Sequence, residues 1–326
     1  MKAEILVYAL PALILATIHV AEAQQPKKVP VVGFLVTSPS LSQSTIDMFR
    51  QGLRDLGYIE EKNIVIEYRY TEGRGGQLSD LVAELVRLKV DIIVTGSTPV
   101  VRAAMQLTGT IPIVMTGTGD PVATGLIASL ARPGGNVTGL SALGPELTTK
   151  QLELLKEAFP QVSRVFFLYN GANASTVAAL KETEVVASVL GVQLQASDVR
   201  GAKDIEPAFS AATRRQANGL LVLREALYQA HATRIVSLAA QRKLPAIYPT
   251  RPYVEVGGLM SYGISTDHLY RGVAIYVDKI LKGARPADLP VEQPTKFEFI
   301  INLKAAKQIG LTIPPNVLAR ADRVIR

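Results

Sequence analysis

Short apolar runs alternate with longer amphipathic stretches along most of this chain. Val31–Val36 is apolar but for Gly33, and after it Ile46, Phe49, Leu53 and Leu56 recur at helical spacing, which predicts a helix over Ser44–Gly57. Asn63–Tyr70 alternates as a strand, with Ile64, Ile66 and Tyr68 on one face. Leu78, Leu81, Leu85 and Leu88 mark a second helix, and Asp91–Val94 and Ile111–Met115 read as buried strands. A second series follows, with strands predicted at Val162–Tyr169, Val192–Ser197, Gly219–Leu223, Leu244–Tyr248 and Gly258–Tyr262, then a helix over Asp267–Lys282 that Gly283 ends. The tail from Lys296 reads as strand, short helix and Pro314-Pro315. Strands that alternate with helices imply right-handed crossovers and parallel sheets, an α/β fold. The pattern changes near Asn136–Ser141, and the turn signal Gly144-Pro145 sets a boundary between two lobes within Ala142–Leu147.

The loops that end the predicted strands share one chemistry. They are Thr37-Ser38-Pro39-Ser40, Thr95-Gly96-Ser97-Thr98-Pro99, Thr116-Gly117-Thr118-Gly119-Asp120-Pro121 and Tyr169-Asn170-Gly171. In a parallel sheet all of them lie on the carboxyl edge, where open α/β folds bind ligands. They offer backbone N–H groups and hydroxyls but little that reacts, which favours holding a small molecule over transforming it.

The 326-residue chain begins with Lys2, an apolar run from Ile5 to Val20, and Ala21-Glu22-Ala23. That sequence describes a secretory signal peptide cleaved after Ala23, the alternative being an uncleaved anchor. There is no cysteine, so neither a disulfide nor a lipid-modified Cys is available, and stability must come from buried apolar surface. The 35 Lys+Arg against 28 Asp+Glu leave a net charge of +7, dispersed without a basic run or interleaved aromatics, which argues against a nucleic-acid partner.

Catalytic signatures are missing. His231 and His268 are far apart and lack metal-ligand spacing. Gly139-Leu140-Ser141-Ala142-Leu143 is not a nucleophile elbow, and Gly73-Arg74-Gly75 and Gly117-Thr118-Gly119 both lack the third glycine of a dinucleotide loop. No metal or cofactor is expected. Asn136-Val137-Thr138 and Asn173-Ala174-Ser175 match the short glycosylation pattern and carry no other signal. Ser97 and Thr98 open a predicted helix, where one hydroxyl caps and the other is spare for a ligand carboxylate. Asp120 either receives an ammonium group or caps the next helix. Tyr169, Tyr228, Tyr248 and Tyr262 fall near strand ends, suited to a cleft wall or to core packing. Arg224 and Glu225 follow a strand directly and either grip ligand charges or pair with each other.

Three segments carry a family resemblance: Val254-Glu255-Val256-Gly257-Gly258-Leu259, Lys279-Ile280-Leu281-Lys282-Gly283, and the run from Ile301-Asn302-Leu303-Lys304 to Thr312-Ile313-Pro314. With Asp120-Pro121 and Thr138-Gly139-Leu140-Ser141 they resemble the ABC-transporter substrate-binding family, which includes tryptophan- and tyrosine-binding periplasmic proteins. The resemblance implies a type I periplasmic binding protein fold, two doubly wound parallel-sheet lobes joined by a three-strand hinge. The crossings are expected near Ser141–Leu147, Tyr262–Thr266 and Val291–Lys296. Residues 30–142 with 264–292 would form one lobe and residues 143–263 with 293–326 the other. Ligand contacts carried over by motif are Thr37, Ser38, Ser97, Thr98, Asp120, Tyr169 and Asn170; Thr116, Arg224, Glu225, Tyr248 and Tyr262 complete the expected ligand-binding set. Amino-acid binders of the family carry an acidic residue after the Tyr-Asn loop and an Asp-Asn pair where this chain has Arg224-Glu225. That departure removes partners for an ammonium group, so a carboxylated or neutral aromatic ligand is expected at least as much as an amino acid.

The expected function is a periplasmic solute-binding protein, not an enzyme. It would be a monomer that delivers a small aromatic or amino-acid-like molecule to an ABC-transporter permease and meets the membrane only through it. The alternatives are a ligand-sensing subunit of a signalling receptor and an exported enzyme using Asp120 or Glu225 as acid or base.

Overall fold

A strand buried on both faces reads as an unbroken apolar run, and β1 (Val31–Val36) is one. In the computed structural model, which describes residues 28–36, 39–70, 77–142 and 144–326, it lies inside a five-stranded sheet. The first half continues as α1 (Pro39–Asp55), β2 (Val65–Tyr70), α2 (Leu78–Arg87), β3 (Ile92–Thr95), α3 (Thr98–Leu107), β4 (Ile113–Thr118) and β5 (Val137–Ser141). These strands pair in the order β2-β1-β3-β4-β5, all parallel.

The second half runs α4 (Gly144–Ala158), β6 (Arg164–Tyr169), α5 (Ala174–Val189), β7 (Gln193–Asp198), α6 (Ala202–Arg214), β8 (Gly219–Val222), α7 (Ala226–Ala230), α8 (Ala232–Gln241), β9 (Ala246–Tyr248), α9 (Arg251–Glu255) and β10 (Met260–Ile264). After it come α10 (Thr266–Leu281), β11 (Phe297–Asn302), α11 (Leu303–Gln308), α12 (Pro315–Leu318) and β12 (Arg323–Ile325). Its seven-stranded sheet has the order β12-β11-β10-β9-β8-β6-β7, and only β10 with β11 is antiparallel. Read from β7 to β10 this repeats the strand order of the first sheet.

Apolar side chains alternate across each strand and build a core on both faces of each sheet. Val32, Phe34 and Val36 of β1 meet Phe49 and Leu53 of α1 and Val273 and Val277 of α10, while Leu35 points to Leu81, Leu85 and Val100. Gly33 lets α2 approach, since a Cβ there would stand 2.7 Å from Leu85 Cδ1. In the second sheet Val165 and Phe167 belong to one core and Phe166 and Leu168 to the other. Although α10 follows β10 of the second sheet, it packs on α1, so the chain crosses back.

The chain passes between the sheets after Ser141, after Ile264 and before Phe297. Main-chain bonds tie these passages together: the Ser141 amide donates to Glu292 O and the Glu292 amide to Gly139 O, and the Ser265 amide donates to Lys296 O, each at 3.0 Å. Two segments differ from the sequence reading. Residues 137–141, where the pattern changes, form edge strand β5, with Gly139 at φ +120. The Gly144-Pro145 turn signal instead opens α4, because proline suits a first helical turn. Among the described residues no helix is long and apolar enough to cross a membrane. The expected signal peptide lies outside the described residues.

Candidate functional site

In a sheet of order 2-1-3-4-5 the chain winds in opposite directions from its first strand, and a crevice opens where the winding reverses. Both sheets have that reversal, at β1/β3 and at β6/β8, and the two crevices face one another across a single cavity of about 130 Å³. Leu35, Val36, Thr95, Gly96, Ser97, Thr98, Thr116 and Gly117 line it from the first sheet; Asn173, Ser175, Leu223, Arg224 and Glu225 line it from the second. Contacts bridge the halves. Thr98 Oγ1 lies 3.1 Å from Ser175 Oγ, and Arg224 Nη2 donates to Thr116 O at 3.2 Å.

Local backbone chemistry shapes the first wall. The register of β4 on β5 slips between Thr116 and Thr118, and Gly117 takes φ +80 in that bulge. A Cβ on Gly117 would approach Arg224 Nη2 to 3.4 Å. Gly96 has no room for one either, since it would sit 2.5 Å from Thr116 Oγ1. Ser97 occupies the N-cap position of α3, yet its hydroxyl makes no capping bond. The first amides of that helix keep their positive end toward the cavity.

The second wall carries buried charge. Glu225 is 7% exposed and Arg224 half-buried. They form no ion pair with each other, and among the described residues no carboxylate meets Arg224. Burial pushes the Arg224 guanidinium below its ordinary value, against the pull of the Tyr270 and Tyr253 phenols. Burial also raises the Glu225 carboxyl, opposed by Asn173 and Asn170. The Asn173 amide donates to Oε2 at 2.5 Å and that of Asn170 to Oε1 at 3.4 Å. The amides of Ala226 and Leu227 pull the same way, though neither closes a capping bond.

The structure therefore brings together Ser97, Thr98, Thr116, Arg224 and Glu225 in the cavity wall, with Asn170 behind Glu225. Thr37 and Ser38 lie outside the described residues. Other expected residues sit elsewhere. Asp120 is exposed and caps the next turn, its Oδ1 accepting from the Val122 and Ala123 amides at 2.9 Å. Tyr248 is buried, stacked on Tyr253 with ring centres 5.0 Å apart, so its ring packs the core instead of walling the cleft. Tyr262 stacks on Phe297, and Tyr169 packs against the core under α5.

Several lining residues gave no clear sequence signal. Tyr270 reaches the cavity from α10 and contacts Phe34, its ring centre 6.2 Å away. Thr148 and Gln151 come from α4, where Gln151 donates to Tyr262 O at 2.7 Å. Behind the lining, Tyr253 OH is buried without a hydrogen-bond partner among the described residues and lies close enough to Arg224 and Glu225 to feel both charges. Asn173 is buried, caps α5 through Ser175 N at 3.1 Å and clasps Glu225. Its place in a glycosylation-like triplet hid that role.

Two sheets of like winding, three passages between them and a crevice shared by both reversal points define a type I periplasmic binding fold. The chain belongs to the family of ABC transporter substrate binding proteins, whose family model matches residues 28–325. It is 27% identical over 277 residues to the tyrosine-binding protein of Clostridioides difficile (strain R20291), which covers 85% of this chain and 79% of that one. A conserved domain protein from Vibrio cholerae has a crystal structure similar to this one, with TM-score 0.84, 30% identity and coverage of 91% of this chain and 100% of that chain. The ABC domain from Streptococcus pneumonia in complex with L-Trp gives TM-score 0.83, 28% identity and coverage of 91% and 99%.

Proposed function

We propose that this is an exported solute-binding protein that closes two lobes on a small aromatic or amino-acid-like molecule and presents it to an ABC permease. The lobes are residues 30–142 with 264–292 and residues 143–263 with 293–326. The protein acts in the periplasm as a monomer, after cleavage of its signal peptide behind Ala23, and needs neither cofactor nor covalent chemistry. The observation that carries this reading is the cavity at the facing reversal points, bridged by Thr98–Ser175 and Arg224–Thr116. A guest that touches both walls favours the closed arrangement by its differential affinity, which gives the permease a means to tell loaded from empty protein. The names of the tyrosine-binding and L-Trp-bound relatives support the ligand class.

A thermal-shift screen of aromatic acids, amino acids, sugars and nucleosides tests this reading. Ligand at 100 times its Kd stabilises a protein by about 2.7 kcal/mol, on the order of 5–10 °C here. One chemical class should shift melting and be recovered unchanged. No shift from any class, or turnover of the bound compound, would overturn the reading.

A further inference from the structure

We propose that the solute is a carboxylate with an apolar, aromatic-sized body and no α-ammonium group, its acid seated between the Arg224 guanidinium and the N-terminus of α3. The inference deepens the solute-binding reading and rests on it. A guanidinium presents five N–H donors in a fixed fork suited to a carboxylate. Among the described residues Arg224 uses one nitrogen, toward Thr116 O, and has no counter-ion in the cavity it lines. A guanidinium partly withdrawn from water without a counter-ion is costly, and an arriving carboxylate lowers that cost.

The opposite wall suits the same anion. Ser97 has a hydroxyl free of capping duty, and α3 is a ten-residue helix whose N-terminus borders the cavity. The two walls meet at one place: Arg224 touches Thr116 O, and Thr116 Oγ1 abuts Gly96, next to Ser97. Apolar side chains also line the cavity, Leu35, Ala142, Leu147, Pro249 and Ile264 among them, with the Tyr270 ring beside them and uncharged polar groups such as Gln151 and Gln229 between.

An ammonium group finds no equivalent offer. Arg224 and Glu225 are the only ionisable acid or base among the described lining residues, tyrosine aside. Both Glu225 oxygens already accept from asparagine amides. Turning that carboxylate toward a ligand would break the clasp that holds the start of α5 to the start of α7. The site is thus asymmetric in charge, with guanidinium donors to spare for an anion and its one carboxylate already engaged.

Matched ligands decide the matter by calorimetry: 3-phenylpropanoate, its amide and L-phenylalanine, and indole-3-propanoate with L-tryptophan. Each acid should bind at least about 10-fold more tightly than its amide and its amino acid, the range of one hydrogen-bonded charge. Arg224→Gln should weaken acid binding about 10- to 100-fold and leave the amide unchanged, with Arg224→Lys between. Melting of unliganded Arg224→Gln at or above the wild-type temperature would show that the fold persists; if the variant fails to fold, the comparison among wild-type ligands stands alone. An amino acid that binds as tightly as its deaminated counterpart, or an acid indifferent to Arg224→Gln, would overturn the inference. Binding of sugars, nucleosides or amino acids with none of these acids would also overturn it, yet leave the solute-binding reading intact. Silence from every class would end both.

Discussion

The loops after β3 and after β8 stand at the same point of the same strand order, yet they are built from opposite chemistry. After β3 the chain reads Gly96-Ser97-Thr98, without a charge and with an uncapped helix start. After β8 it reads Leu223-Arg224-Glu225, and both ionisable side chains line the cavity. The helices nearby differ in the same sense. Asn173 is consumed in capping α5 and holding Glu225, whereas the Ser97 hydroxyl is committed to nothing. One wall keeps the Ser97 hydroxyl in reserve; the other spends its polar groups on its own stability, with Arg224 as the exception. Residues of similar type thus divide between structure and recognition according to what already occupies their hydrogen-bonding atoms.

Substitutions can break or sharpen that contrast. Asn173→Ala removes a cap and one acceptor's partner at a buried carboxylate, so it should cost about 2–4 kcal/mol of stability by urea unfolding. An effect below about 1 kcal/mol would mean that the clasp is not formed. Gly96→Val forces a side chain against Thr116 and should cost about 1–3 kcal/mol while abolishing ligand binding. Retained affinity would place the guest away from the β3 loop.

A smaller effect concerns pH. Burial holds the Glu225 carboxyl above its unfolded value, so its contribution to stability is fully present below the ordinary carboxylate range and declines as pH rises through the folded value. Glu225→Gln removes the titration, so stability measured from acid toward neutral pH should decline less than in the wild type. An identical profile would mean that Glu225 is not buried as described. Ser97→Ala should be the mildest change, with stability altered by less than about 0.5 kcal/mol and ligand affinity lowered several-fold. The reverse pattern would make Ser97 an ordinary cap.

The core of the fold was legible because strands buried on both faces must be apolar, as Val31–Val36 and the buried middle of β6, Val165 to Leu168, are. Residues 137–141 were harder, since Gly139 in a left-handed conformation looks like a turn and only its pairing with β4 makes it a strand. At the site, the strand-end loops pointed to Ser97, Thr98, Thr116 and Arg224 because position on the carboxyl edge is readable from element order. Asn173 and Tyr270 were not readable. Asn173 acquires its role from Glu225, 52 residues away, and Tyr270 sits at a helical position that looks like core. Asp120 and Tyr248 satisfied the same loop and aromatic patterns but found local partners first.

The central claim is that the two halves close on a guest. The absence of cysteine makes a direct distance measurement simple, because spin labels at Gln106→Cys in α3 and Lys181→Cys in α5, both exposed, would be the only thiol attachments. A saturating ligand should narrow the label-to-label distribution and shorten its mean relative to the ligand-free protein. An unchanged distribution under saturation by a compound that calorimetry shows to bind would contradict the claim.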